Sequence, residues 1–191
     1  EAAWDCGTGN GQAAIELAKH FKKVYATDPS VKQLESAIGH ERVSYSQARA
    51  ERSGLGDYSV SLVTVAQAFH WFNQEEFFQE VRRVAQPGGV LAVWCYELAV
   101  VEQGVDRAVL RLYRDILGAF WDDGRRLVEE GYRNEKFPFP ELTPPVFDMR
   151  AEWNLEEFVG YLRTWSALQK FQKEKSQDPV ALVMDELREA W

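Results

Sequence analysis

Hydrophobic positions in the first half of the chain follow, in turn, the spacing of strands and the spacing of helices. Short apolar or β-branched runs predict strands, and most are followed by apolar residues three or four positions apart, which is typical of an amphipathic helix. The predicted strands cover residues 2–5, 24–27, 43–46, 59–66 and 90–96. The last of these is almost entirely apolar, which indicates a strand covered on both faces. Strands that alternate with helices predict a doubly wound α/β fold with a mostly parallel sheet.

The three helices expected between these strands have recognisable buried faces. Their predicted inward positions are Ala14, Leu17, Ala18 and Phe21, then Val31, Leu34 and Ile38, and finally Phe77, Val81 and Val84. Asn73 and Glu76 have the spacing of a capping box, so the third helix is expected to begin beside Asn73. Pro87, Gly88 and Gly89 then predict a turn before the last strand.

The pattern changes after residue 97. Val105, Val109, Leu112 and Ile116 predict a long helix, and the proline-rich residues 137–145 predict a structured loop or lid. Asn154 and Glu157 have capping-box spacing before a helix with Leu155, Phe158, Val159 and Leu162 inward, and Asp178 and Pro179 predict the start of another. We therefore interpret residues 1–97 as the α/β core and residues 98–191 as a mostly helical cap over its sheet.

Composition narrows the classes of partner. The formal net charge of −8 argues against a nucleic-acid partner, and no apolar run approaches the roughly 18 residues of a membrane span. Cys6 and Cys95 are far apart, so neither a disulfide framework nor a metal site is expected, and a cytoplasmic location fits. The chain begins without Met beside its first strand and ends at Trp191 inside a predicted helix, so we expect further residues at both ends.

The strongest chemical signal is a run of glycines between the first strand and the first helix. Gly7, Gly9 and Gly11 allow a sharp turn and a close approach of a ligand to the backbone. The helix that follows offers N–H groups to polar ligand atoms. Asp28 ends the second strand, where ribose hydroxyls bind in this topology. The alternatives are a tight turn without ligand and, for Asp28, a helix N-cap before Pro29.

The spacing also distinguishes between nucleotide-like ligands. The dinucleotide fingerprint requires a glycine at position 12, where this chain has Gln12. Asp5 precedes the glycines, and a carboxylate suits an ammonium group better than a phosphate. S-adenosylmethionine combines a ribose with an ammonium group and has no pyrophosphate, so it is the favoured cofactor.

The glycine run and Asp5 resemble the first motif of the class I S-adenosylmethionine-dependent methyltransferases, and three further motifs follow in that family's order. Asp28 corresponds to the acidic second motif, residues 48–51 to the segment beside adenine, and residues 83–89 to the turn before the fifth strand. The resemblance implies a Rossmann-like core. It also implies a cofactor site made of Asp5, Gly7, Gly9, Gly11, Asp28, Ala50, Glu51 and Gln67.

The run Gln67–Phe72 resembles the ubiquinone-methyltransferase branch, which includes trans-aconitate methyltransferase-like proteins. It follows the strongest predicted strand, at the end where doubly wound sheets bind ligands. We expect His70 to act as a general base and Gln67 to face the methyl group and the substrate, with Tyr96 as a third catalytic candidate. The alternative for His70 is a packed, hydrogen-bonded histidine beneath the cap. His20 and His40 are interpreted as surface residues.

The resemblance implies direct in-line transfer of a methyl group to a nucleophilic oxygen, nitrogen or carbon of a small molecule. Two other functions stay open at this point, a non-catalytic module that binds the same cofactor and an NAD-dependent oxidoreductase. The aromatic residues of the second half indicate either an apolar substrate pocket or the core of the cap, and they also allow a homodimer interface.

Overall fold

The computed structural model describes residues 1–145 and 147–191, which form two compact units. Unit 1 comprises Glu1–Glu97 and Arg126–Phe139, and unit 2 comprises Leu98–Arg125 and Pro140–Trp191. The sequence predicts one boundary after residue 97, whereas the contacts of residues 126–139 place this segment in unit 1. Its few apolar residues lack a strand or helix period, so pattern alone does not reveal where it packs.

Unit 1 contains a five-stranded sheet in the order β3-β2-β1-β4-β5. The strands are β1 (Ala2–Cys6), β2 (Lys23–Asp28), β3 (Val43–Gln47), β4 (Val60–Ala66) and β5 (Ala85–Trp94). Every neighbouring pair is parallel. The predicted Rossmann-like α/β class is therefore confirmed. The winding reverses between β1 and β4, and all strands end at one edge of the sheet, called here the carboxyl edge.

The α-helices of both units have the following bounds: α1 (Gln12–Leu17), α2 (Val31–Glu35), α3 (Gln74–Val84), α4 (Gln103–Leu110), α5 (Arg125–Glu129), α6 (Leu155–Leu162), α7 (Ser166–Lys175) and α8 (Met184–Ala190). Short 3₁₀ turns cover Phe69–Trp71, Gly118–Phe120 and Pro179–Leu182, and α4 continues as a π-helical segment, Arg111–Ile116. Of the helices described, none is long and apolar enough to cross a membrane.

The two faces of the sheet carry separate apolar clusters. On one face the predicted inward residues of α3 are buried in a cluster with Trp4, Val63 and Val65. On the other, Ala14 and Ala18 pack with Val24 and Ala26. Asn73 caps α3 as predicted, because its side chain accepts a hydrogen bond from the Glu76 N–H.

Two packing predictions are wrong. Val31 and Ile38 are 49% and 52% exposed, because α2 stops at Glu35 and is too short to present a continuous buried stripe. The last strand is not covered on both faces, since Val90 and Trp94 are 39% and 43% exposed. Among the described residues β5 pairs only with β4, so it forms an edge of this sheet.

Unit 2 is helical and has its own core, as the apolar spacing predicts. The buried residues include Val105, Val109 and Leu112, together with Phe158 of α6. The capping box of Asn154 and Glu157 is present as predicted. After Asp178 the predicted helix is instead divided into a 3₁₀ turn and α8.

The loop between β3 and β4 is fastened to α3 by a buried carboxylate. Glu80 accepts hydrogen bonds from the Ser53 N–H (2.7 Å) and from the Arg83 guanidinium (2.7 Å to Nη2). Arg83 also bonds the Asp57 carboxylate at 2.7 Å. Burial alone would raise the pKa of Glu80, but the hydrogen bonds from Arg83 and Ser53 outweigh it and lower that pKa.

We expect Glu80→Gln to reduce the free energy of unfolding at pH 7 by about 1–3 kcal/mol, because it removes a charge-assisted interaction in a buried position. A carboxyl group whose pKa is lowered by folding stabilises the fold fully above its ordinary pKa of about 4.3 and loses that effect as pH falls through the lowered value. The difference between variant and wild type should therefore shrink on acidification below about pH 4.3. Denaturant unfolding across this range measures it, with exposed Glu35→Gln as the control. A constant difference would contradict the assignment.

Candidate functional site

The glycine loop, residues 7–11, turns sharply between β1 and α1. Gly7, Gly9 and Gly11 have φ angles of 71°, 57° and 92°, in the left-handed region that favours glycine. The N–H groups of Gly7 and Thr8 donate to the Thr27 carbonyl at 2.9 and 3.0 Å. The loop is therefore fastened to the end of the neighbouring strand β2.

The three glycines differ in the space around them. A Cβ on Gly11 would lie 2.1 Å from Tyr45 Oη, and one on Gly7 would lie 2.6 Å from Ala68 Cβ. A Cβ on Gly9 would meet no other group closer than 4.0 Å. Packing thus explains why positions 7 and 11 are occupied by glycine, while Gly9 borders open space that a ligand can approach.

Asp28 joins the glycine loop to the start of α2. Its Oδ2 accepts a hydrogen bond from the Gly9 N–H at 2.9 Å, and its Oδ1 accepts one from the Ser30 N–H at 2.8 Å. The N-cap of α2 is Ser30, so the alternative of Asp28 as the N-cap is wrong. Asp28 is 9% exposed and lies where the motif predicts an acidic residue beside the loop.

Asp5 lies beneath the glycine loop and is 1% exposed. Its two oxygens accept hydrogen bonds from the hydroxyls of Thr8 (2.6 Å) and Thr64 (2.8 Å). Burial raises the pKa of Asp5, and these two hydrogen bonds partly offset that rise. Thr27 Oγ1 similarly accepts from Trp4 Nε1 at 2.8 Å. These threonines are not among the site residues predicted from the sequence, although a hydroxyl next to a strand end and an acidic residue is a usable signal.

The segment predicted to lie beside adenine is held by the core and by α3. Ala50 is 5% exposed and belongs to the apolar cluster around Trp4. Glu51 is partly buried, and its Oε1 accepts a hydrogen bond from the Asn73 N–H at 2.8 Å. The Glu51 side chain therefore supports the start of α3.

Gln67 and Tyr96 are brought together at the carboxyl edge. The Gln67 N–H donates to the Trp94 carbonyl at 2.9 Å, which continues the pairing of β4 with β5. The Gln67 side chain then donates to the Tyr96 carbonyl (3.2 Å) and accepts from the Tyr96 N–H (3.1 Å). The side-chain amide of Gln67 thus makes the hydrogen bonds that a backbone amide would make in a continued strand. The backbone of Gln67 has a left-handed φ of 54°.

His70 lies in the 3₁₀ turn Phe69–Trp71, just after β4. Its Nδ1 is 2.8 Å from the Tyr132 hydroxyl, and its ring centroid is 4.8 Å from that of Trp71. The ring is partly buried, whereas Trp71 is 55% exposed. Ala68, the residue that precedes this turn, packs against the glycine loop so closely that a Cβ on Gly7 would lie 2.6 Å from Ala68 Cβ. His20 and His40 are exposed, as predicted.

Comparison with known proteins identifies the family. Residues 4–93 match the family described as a methyltransferase domain. A Dictyostelium discoideum protein named as a methyltransferase is 32% identical over 194 residues, which cover 100% of this chain and 74% of that protein. A solved Anaeromyxobacter dehalogenans structure, named as a type II methyltransferase, is 44% identical with a TM-score of 0.87, covering 100% of this chain and 81% of the other. A Saccharomyces cerevisiae protein named as an S-adenosylmethionine-dependent methyltransferase is 24% identical, over a match that covers 97% of this chain and 76% of that protein.

This chain belongs to the class I S-adenosylmethionine-dependent methyltransferases. Its function is S-adenosylmethionine-dependent methyl transfer, which decides against the NAD-dependent alternative. The open space at Gly9 and the carboxylate of Asp28 beside it fit the cofactor of this methyltransferase family. When bound, S-adenosylmethionine supplies an electrophilic methyl group on a positively charged sulfur.

Alanine substitutions in the glycine loop should separate folding from ligand binding. Gly11→Ala should destabilise the methyltransferase, because its Cβ would collide with Tyr45 Oη at 2.1 Å. Gly9→Ala should cost only about 1–2 kcal/mol for the left-handed backbone, yet should weaken S-adenosylhomocysteine binding by narrowing the open space. Thermal unfolding and calorimetric titration of the two variants measure these effects. Unchanged affinity in a folded Gly9→Ala variant would show that the ligand does not approach this position.

Proposed function

We propose that this methyltransferase acts on a small-molecule acceptor, which is methylated at the carboxyl edge beside His70. The observation that carries the proposal is the packing of the turn that bears His70 directly on the glycine loop, through Ala68 and Gly7. A nucleophile next to His70 is thereby kept close to a cofactor held by the loop. The run Gln67–Phe72 supports a place in the ubiquinone-methyltransferase branch, near trans-aconitate methyltransferase-like proteins.

In this proposal the cofactor is held by the loop and by the two buried aspartates. Each Asp28 oxygen accepts one backbone N–H and keeps further acceptor capacity, which suits the two hydroxyls of a ribose. Asp5 would attract the ammonium group through its negative charge beneath the loop. Ala50 and Glu51 would lie beside adenine, with Glu51 oriented by its bond to the Asn73 N–H.

Aromatic side chains at the carboxyl edge support an acceptor with apolar surface. Trp71, Trp94 and Tyr96 are 55%, 43% and 39% exposed, although large aromatic rings usually favour burial. The net charge of −8 opposes the approach of a nucleic-acid backbone. Together these features favour a small neutral or apolar acceptor.

His70 would remove the proton of the acceptor as a general base. A histidine suits this step because its ordinary pKa of about 6.5 lies near neutral pH. Gln67 and Tyr96 would shape the site through their mutual hydrogen bonds, which leave the Tyr96 ring at the edge of the sheet. Alignment of acceptor and methyl group would supply the larger part of the rate enhancement.

Calorimetric titration with S-adenosylhomocysteine tests the proposed cofactor contacts, with NAD as the control ligand. Wild type should bind S-adenosylhomocysteine and not NAD. We expect Asp28→Asn to weaken binding by about tenfold or more, because one charged acceptor is lost. Glu35→Gln, the same change on an exposed carboxylate, should bind like wild type. Equal affinity of both variants would remove Asp28 from the cofactor site.

His70→Ala tests the proposed base. The turnover rate should fall by about 10²–10⁴-fold while the affinity for S-adenosylhomocysteine is retained, since the imidazole acts on the acceptor. His20→Ala, which removes an exposed histidine far along the chain, should leave turnover unchanged. The measurement is single-turnover methylation of an acceptor found by screening small apolar molecules. An unchanged rate in His70→Ala would exclude the base.

A further inference from the structure

The segment 126–139 contributes a buried tyrosine to the site in unit 1. Tyr132 is 5% exposed, and its ring meets that of Phe69 edge-on at a centroid distance of 5.3 Å. Its hydroxyl lies 2.8 Å from His70 Nδ1, and the two rings are stacked 6.3 Å apart. His70 is thereby held by a residue more than 60 positions away in the sequence.

The backbone at Tyr132 adopts a conformation that tyrosine disfavours. After α5, Gly131 and Tyr132 have φ angles of 61° and 57°. The N–H groups of these residues donate to the carbonyls of Val128 and Leu127, both at 2.9 Å, which ends the helix. A left-handed backbone is strained for any residue that carries a Cβ. Glycine or asparagine would end the helix at lower cost. At Tyr132 the strained backbone accompanies a buried side chain that contacts both His70 and Phe69.

We propose that Tyr132 is a positioning residue that fixes the tautomer of His70. Its hydroxyl oxygen accepts the hydrogen bond from Nδ1–H, which leaves Nε2 without a proton and able to accept one. This inference rests on the proposed role of His70 as a base. With the opposite arrangement, in which the tyrosine O–H donates to Nδ1, Nε2 carries the proton and cannot act as a base.

The same hydrogen bond serves both protonation states of His70. When the proton leaves the acceptor for Nε2, the imidazole becomes an imidazolium that still donates from Nδ1 to Tyr132 Oη. The ring therefore keeps its orientation throughout the step, and the contact strengthens as the positive charge forms. The Trp71 ring, whose centroid lies 4.8 Å from that of His70, restricts the rotation of the imidazole further.

Nitrogen-15 NMR of the imidazole groups tests the tautomer directly and independently of turnover. The chain has three histidines, so the signals of His70 are assigned by their absence in His70→Ala. In wild type we expect a protonated Nδ1 and an unprotonated Nε2 at neutral to mildly alkaline pH. In Tyr132→Phe, which keeps the packed ring, we expect a shift towards the Nε2–H tautomer. An Nε2–H tautomer in wild type, or an unchanged signal in Tyr132→Phe, overturns the proposal.

Kinetics then show whether the tautomer matters. Tyr132→Phe should lower kcat by about three- to tenfold, the worth of one neutral hydrogen bond, with KM for S-adenosylmethionine unchanged. The matched control is Tyr58→Phe, because Tyr58 is also a left-handed tyrosine (φ 51°) but is 62% exposed. It should change neither kcat nor the His70 signals. An unchanged kcat in Tyr132→Phe overturns the positioning role, while His70→Ala shows separately whether the base itself has failed.

Discussion

The candidate site depends on the hydrogen bonds that join the glycine loop to the end of β2. Three backbone N–H groups of the loop are bound there, two by the Thr27 carbonyl and one by Asp28. Because β1 and β2 are parallel neighbours, the loop and Asp28 emerge at the same edge, and the register Cys6 to Thr27 sets their separation. A slip of one residue would move Asp28 to the other face of the sheet and leave Gly9 without its acceptor. The sheet register therefore also sets the geometry of the proposed cofactor site.

The parts of the fold that sequence predicts are those decided by local pattern. The positions of the first four strands, the caps at Asn73 and Asn154 and the glycine loop follow from neighbouring residues alone. The fifth strand is predicted at residues 90–96 and is instead Ala85–Trp94. The exposure of β5 and of Val31 depends on which helices and strands pack beside them. The spacing of apolar residues along the chain does not contain that information. The same limit applies to the site, since Asp5 and Asp28 are found from the motif whereas Thr64 and Tyr132 reach it only through tertiary packing.

Two residues near the end of β4 have strained backbone conformations that their residue types disfavour. Gln67 and Tyr132 are both left-handed residues with Cβ atoms, and both use their side chains to hold a neighbouring group. Beyond Gln67 the backbone turns towards His70 and no longer pairs with the neighbouring strand, and the side-chain amide of Gln67 makes the hydrogen bonds to the Tyr96 backbone instead. Ordinary loop chemistry would place glycine or asparagine at such positions. Tyr132 belongs to the buried apolar cluster that includes Phe69 and Phe77, and burial of its ring there offsets the cost of its backbone conformation.

Typical barrier reductions indicate how the rate enhancement of the proposed reaction divides between alignment of the reactants and proton transfer. Orientation of two reacting groups can lower a barrier by roughly 7–11 kcal/mol, whereas a general base contributes about 10²–10⁴-fold, or about 3–5 kcal/mol. In the proposed site the glycine loop, Asp28 and the turn on which His70 lies would supply orientation, so a variant without the imidazole would keep a measurable rate. Tyr132 affects only the contribution of the general base, which is the smaller of the two, and it does so only through His70. Its effect is accordingly bounded by that of the base, and removing both groups should cost little more than removing His70 alone.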